Sequence, residues 1–187
     1  MTISEIINSL DEQLSAFRIA HEGLDLREKV LLLADFMTTT RKLNIATVQQ
    51  GGLDARAGME RIRLYFLRYP GIPIERIELE VVSGISEFAR RIRQLRTEDG
   101  YAIVSGPKVD EDAQMALSSS QYLLLREEAD HTAARRWRIA NRIRREKGSA
   151  SDRLLKYFQA NVGQILNTEE IAYVAKISEY RRRTSEL

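Results

Sequence analysis

The chain has 187 residues, 43% hydrophobic and 30% charged, with a formal net charge of +2. This is enough apolar material for one domain or two small ones and excludes wholesale disorder, while the small net charge means that attraction to an anionic partner must come from local clusters. Zero cysteines exclude disulfides and thiolate metal sites, His21 and His131 are too isolated to suggest a metal centre, and no run of 18 apolar residues is present to span a membrane.

The N-terminus, MTISEIINSLDEQ, has neither the basic stretch nor the apolar stretch of a secretory signal, so a bacterial cytoplasmic protein is expected. Residues 3 to 20 place Ile3, Ile6, Ile7, Leu10, Leu14 and Phe17 on one helical stripe that Gly23 ends. A second helix is expected over residues 25 to 43, burying Val30, Leu31, Leu33, Ala34, Met37 and Leu43, and residues 44 to 52, closing on Gln-Gln-Gly-Gly, read as a loop. Asp54 suits an N-cap for a helix reaching Arg68, which buries Ile62, Tyr65 and Phe66 and stops at Pro70-Gly71. Ile72 to Ile74 is a short extended piece, and residues 75 to 82 form a short helix closed by a Ser83-Gly84 turn. Ser86 then caps a helix reaching Arg96 or Thr97. Asp99-Gly100 turns the chain into a strand over Tyr101 to Ser105, an acidic, serine-rich loop runs from Gly106 to Ser119, and Gln121 to Leu125 is a second strand. Helix, short strand, helix, turn, helix and hairpin is the element order of a winged helix-turn-helix.

Shifted by 92 residues, the sequence matches itself without a gap. Residues 61 to 95 align on 153 to 187 with twelve identities in 35 positions, among them Tyr65/Tyr157, Phe66/Phe158, Gly71/Gly163, Glu78/Glu170, Val82/Val174, Ser86/Ser178, Glu87/Glu179, Arg90/Arg182 and Arg91/Arg183. One supersecondary unit is therefore written twice. The second copy opens on a capping box, Ser149 to Asp152, and reaches Leu187 before any hairpin, as in a fragment or a shortened protein. The expected fold class is mainly α with a small β wing, built as tandem winged helix-turn-helix units preceded by an N-terminal helical segment. Its divisions are residues 1–50, 54–127, a basic linker helix at 128–148, and 149–187 with the wing missing.

On a helical wheel, Ile85, Phe88, Ile92 and Leu95 fall on one side of the helix that follows Ser83-Gly84, while Ser86, Glu87, Arg90, Gln94 and Thr97 fall on the other. Arg91 and Arg93 flank the two. That is the division of labour of a recognition helix, in which flanking arginines take phosphates, Arg90 reads guanine, Gln94 reads adenine and Glu87 accepts from a cytosine amino group. The copy repeats the candidates as Ser178, Glu179, Arg181, Arg182 and Arg183. The competing reading is a solvated arginine-rich helix that binds nothing, but a merely soluble face has no need to recur residue for residue. RNA is the weaker partner, because the aromatics sit at core positions instead of forming a stacking platform. Between the copies, residues 135 to 147 hold seven basic residues and one acid, Glu146, a local charge of +6. Arg135, Arg138, Arg142, Arg144 and Arg145 suit a phosphate backbone, with Trp137, Ile139, Ala140 and Ile143 facing inward. Docking of this helix on Asp110, Glu111 and Asp112 of the acidic loop explains the same charges equally well.

The strings VVSGISEFARRIRQLRTEDGYAI, RRWRIANRIRREKGSASDRLLKYF and KISEYRRR together resemble the N-terminal DNA-recognition region of HNH-type bacterial restriction endonucleases, over about residues 54 to 187. The resemblance implies sequence-specific binding of double-stranded DNA by tandem winged-helix units, with a nuclease downstream in the full-length protein. The chain departs from the nuclease pattern itself: it has no clustered histidines, the acids of VDEDAQ have no following Glu-x-Lys, and the glycines lack the Lys-Ser/Thr of a phosphate loop. No catalytic residue, metal site or cofactor is expected within it. The expected partner is double-stranded DNA, with no membrane and with a homodimer through the N-terminal helices as a further option. A stand-alone winged-helix transcriptional regulator and a protein–protein adaptor are the alternative functions.

Overall fold

The computed structural model describes residues 1–106 and 117–177, and the chain divides into two compact units. The first comprises Met1–Ile92 with Ile103–Leu125, and the second Arg93–Ala102 with Arg126 onward. Among the described residues the protein is mainly helical, with one small antiparallel sheet.

The first unit opens with an antiparallel helical hairpin. Helix α1, Ile3–Ala20, and helix α2, Leu26–Gln50, each begin at a capping box, Thr2 with Glu5 and Asp25 with Glu28, which satisfies two otherwise orphaned N–H groups at each start. The expected loop at 44–52 is instead the last two turns of α2. Leu43, Ile45 and Val48 keep the helical period, this end of α2 packs on the later helix α4, and the chain stops only at Gly51-Gly52. The expected burial along α2 also differs: Val30, Leu31, Leu33 and Met37 are exposed, whereas Thr39 is buried and accepts a hydrogen bond from Gln13 Nε2 at 3.1 Å.

Helix α3, Gly58–Arg68, starts four residues after Asp54, with Ala57 at its N-cap. The Arg61 guanidinium explains the delay, because Nη1 donates to the Ala55 and Arg56 carbonyls at 2.8 Å and ties that stretch outside the helix. Strand β1, Ile74–Glu75, leads into helix α4, Arg76–Ser83, whose N-cap Glu75 forms a capping box with Glu78 and whose C-cap is Gly84 at φ +66°. Helix α5, Phe88–Thr97, follows after a short turn. Strands β2, Ile103–Ser105, and β3, Gln121–Leu124, close the sheet in the order β1-β3-β2, with Ile74 opposite Tyr122 and Val104 opposite Leu123. Ile62, Phe66, Ile74, Leu79, Val82, Phe88, Ile92 and Leu124 form the buried interior, each worth about 1.5–3 kcal/mol of hydrophobic stabilisation. Phe88, on the apolar side of the expected wheel, meets the Tyr122 ring edge-to-face.

The second unit contains three packed helices: α6, His131–Arg145; α7, Ala150–Ala160; and α8, Thr168–Ala175. Ala140, Ile143, Leu154, Tyr157, Val174 and Ala175 are its core, with Trp137, Ile139, Phe158 and Tyr173 packed around them. The stretch expected as a linker helix is thus a full member of this unit, and its inward face carries the expected residues. Two details copy the first unit. The capping box of Asn167 with Glu170 opens α8 as that of Glu75 with Glu78 opens α4, and α8 ends in the left-handed conformation at Lys176, φ +59°, the position that corresponds to Gly84. The capping box of Ser149 with Asp152 that opens α7 has no counterpart at Ala57.

Candidate nucleic-acid interface

The two units are held by the same pair of side-chain devices. In the first, Arg61 lies buried with Nε donating to the Val82 carbonyl at 2.9 Å and Nη2 to Ser83 at 2.5 Å, which satisfies carbonyls at the end of α4. In the second, Arg153 Nε donates to Val174 at 3.0 Å, Nη2 to Ala175 at 2.7 Å and Nη1 to Gly148 at 2.6 Å. Arg61 and Arg153 are the one identity of the repeat that the motif reading passed over. Their signal was a cation four positions before Tyr65 and Tyr157, on the same helix face as those aromatics. Tyr65 Oη donates to Glu78 at 2.8 Å, and Tyr157 Oη to Glu170 at 3.2 Å, so each first helix is locked to its short second helix in the same way. Burial first, then the Glu78 carboxylate, pushes the Tyr65 hydroxyl up to about 12, and burial followed by Glu170 pushes Tyr157 in the same direction.

This scaffold presents α5. Ser86 and Glu87 are exposed in the turn before the helix, so the helix starts one residue later than Ser86 capping implies. Phe88, Ile92 and Leu95 are buried, and Arg90 and Arg93 are exposed. Arg90 makes no hydrogen bond or ion pair with its side chain among the described residues. Arg91 is half-buried. Gln94, expected to face a base, donates from Nε2 to Glu98 at 3.0 Å, and the Arg93 guanidinium lies over the Tyr173 ring at 5.6 Å. The copy's candidates, Ser178, Glu179, Arg181, Arg182 and Arg183, lie outside the described residues, as do Asp110, Glu111 and Asp112.

Helix α6 sorts its arginines. Arg136 turns inward to Glu170, 3.1 Å from Nε to Oε1; that carboxylate is fully buried and also accepts from Tyr157 and from the Asn167 N–H. Arg144 also turns inward, donating to the Tyr173 carbonyl and stacking over its ring at 4.2 Å, so this member of the expected phosphate set is engaged with protein. Arg135, Arg138, Arg142 and Arg145 remain exposed at spacings of three, four and three, one continuous stripe of the helix. Arg138 reaches the Glu98 carbonyl at 3.1 Å, and Arg138, Arg142 and Arg145 line a shallow hollow with Glu98 and Asn141. The single acid of this stretch, Glu146, is paired with Lys156 at 2.6 Å, which holds its carboxyl below the ordinary range. No group of histidine, cysteine, aspartate or glutamate able to hold a metal occurs among the described residues, and no described helix is long and apolar enough to cross a membrane.

The KpnI N-terminal domain model matches residues 59–125 and 151–187, together more than half of the chain. The chain therefore belongs to the KpnI N-terminal domain family, the N-terminal region of KpnI-like restriction enzymes. The two matched stretches begin at 59 and 151, the same 92-residue offset as the internal repeat. No curated protein and no solved structure matches the chain.

Proposed function

We propose that this chain is a DNA-reading part of a restriction enzyme, in which α5 acts as the recognition helix of a winged helix-turn-helix unit and the repeated residues Ser178, Glu179, Arg181, Arg182 and Arg183 supply matching contacts. The stripe of α6 contacts the phosphate backbone. Cleavage is assigned to an HNH-type nuclease segment of the same enzyme, and the residues described here carry no catalytic role. The reading rests first on one observation. Of the six arginines on α6, Arg136 and Arg144 are turned inward to protein groups, and Arg135, Arg138, Arg142 and Arg145 form one exposed stripe. Among the described residues this stripe is hydrogen-bonded to protein only where Arg138 meets the Glu98 carbonyl, and its neighbouring acid, Glu146, is already paired with Lys156. Ten residues separate Arg135 from Arg145, a rise of about 15 Å. A duplex carries one negative charge per roughly 1.7 Å of axis, so each stripe cation has phosphates within reach. Membership of a restriction-enzyme family supports the same conclusion.

The α5 residues divide by role under this reading. Arg90, exposed and with no side-chain partner among the described residues, is suited to bidentate contact with guanine O6 and N7. Gln94 must release Glu98 before it can read adenine, and Arg93 is held beside Tyr173, so both are weaker base readers than Arg90. Arg90→Ala is expected to weaken binding to the preferred duplex by about 1–3 kcal/mol and to relax preference at one base pair, measured by competition among single-position variants of that site. A uniform loss across all sequences would reassign Arg90 to phosphate contact.

A further inference from the structure

The N-terminal hairpin has two apolar seams and uses only one of them. The inner seam joins α1 to α2 through Ile6, Leu10, Gln13 and Phe17 on one helix and Leu32, Phe36 and Thr39 on the other, all buried or half-buried. The outer seam is left to solvent. On α2 it comprises Leu26, Val30, Leu33 and Met37, with 77%, 54%, 47% and 58% of their surface exposed. Their spacing of four, three and four is the a/d repeat of a coiled coil. On α1 the matching positions are Ile7 and Leu14, 43% and 48% exposed and one heptad apart. A row of half-exposed aliphatic side chains at this period is the pattern of a helix pair that completes a four-helix bundle.

Charge identifies what completes it. Helix α1 carries three acids, Glu5, Asp11 and Glu12, against one base, Arg18. Helix α2 carries four bases, Arg27, Lys29, Arg41 and Lys42, against two acids, Glu28 and Asp35. An acidic helix and a basic helix side by side make a face that is complementary to its own two-fold image, in which α1 of each copy lies along α2 of the other. The hairpin also lies wholly outside the stretches matched by the family model, so its outer seam belongs to neither repeat unit.

We propose that the outer seam of α1 and α2 is a homodimer interface, in which two hairpins pack as an antiparallel four-helix bundle through Ile7, Leu14, Leu26, Val30, Leu33 and Met37. Sedimentation velocity of the full chain over a concentration series tests this. A reversible monomer–dimer equilibrium is expected. Val30→Glu combined with Met37→Glu should weaken it by on the order of 100-fold, because each dimer would bury unpaired carboxylates. Helical circular dichroism should be unchanged, since both side chains are exposed in the single copy. Leu33→Ala, which introduces no charge, should weaken it by roughly tenfold. A monomer at every concentration, or a dimer of unaltered affinity in the helical double variant or in Leu33→Ala, would overturn the proposal.

Discussion

At the scale of single residues, the buried guanidiniums of Arg61 and Arg153 hold the ends of α4 and α8. Arg61 and Arg153 each satisfy two carbonyls at the end of a short helix plus carbonyls of the segment leading into the first helix. Removing either guanidinium strands several buried acceptors, each worth about 1–3 kcal/mol. Arg153→Ala is accordingly expected to lower unfolding stability by roughly 3 kcal/mol or more in urea titration, and Arg153→Lys to rescue little of it, because an ammonium lacks the planar fork that spans these carbonyls. The tyrosine locks make a pH prediction. Folding raises the Tyr65 hydroxyl from 10.0 to about 12, so the folded state holds this proton more tightly than the unfolded state. Its contribution is complete below pH 10 and is lost as the pH climbs from 10 to about 12. Tyr65→Phe should therefore flatten the fall of unfolding free energy across that window, and an unaltered slope would contradict the assignment. The sequence recorded Tyr65/Tyr157 and Glu78/Glu170 as repeated identities without showing that they meet. Their common separation of 13 residues in both copies was the available clue, and only the packing of the two helices converts it into a bond.

At the scale of elements, caps and periodicity were legible and burial was less so. The ends of α1, α4 and α7 follow from turn residues and capping boxes, and the apolar side of α5 follows from its period. Residues 44–50, expected as a loop from the polar Gln-Gln-Gly-Gly ending, are helical because tertiary contact with α4 stabilises this end of α2. On α6 the expected phosphate set included Arg144 beside Arg135, Arg138, Arg142 and Arg145, whereas Tyr173, about thirty positions away along the chain, turns Arg144 inward. No local pattern could separate Arg144 from the other four. The distinction predicts separable phenotypes. Arg142→Gln with Arg145→Gln should reduce the slope of log binding constant against log salt by about 2 while leaving stability unchanged. Arg144→Gln should lower stability and leave the slope nearly intact. Equal slopes in the wild type and the double variant would remove α6 from the interface. The left-handed C-cap of α8 is a further element-level feature, since Lys176 holds a conformation that Gly84 adopts freely in the first unit. Lys176→Gly is expected to stabilise the second unit by about 1 kcal/mol, read as a higher midpoint in urea.

At the scale of the whole molecule, the internal repeat was the most informative property of the sequence, because a gapless 92-residue offset exposes positions that a single copy hides. The family model matches at the same offset, and the shared arginine and tyrosine–glutamate contacts give the repeat a structural meaning. What the sequence concealed was the outer seam of the hairpin. Its aliphatic residues read as core, but a two-helix hairpin has only one interior side, so they remain exposed. The central claim is that this chain recognises duplex DNA by sequence. It is tested most directly by selecting bound duplexes from a random pool with the purified chain, then titrating the enriched duplex and a scrambled one at modest ionic strength. The account predicts enrichment of a defined site that binds at least about 1000-fold more tightly than the scrambled duplex. Equal affinity for both duplexes, or no complex with either, would contradict it.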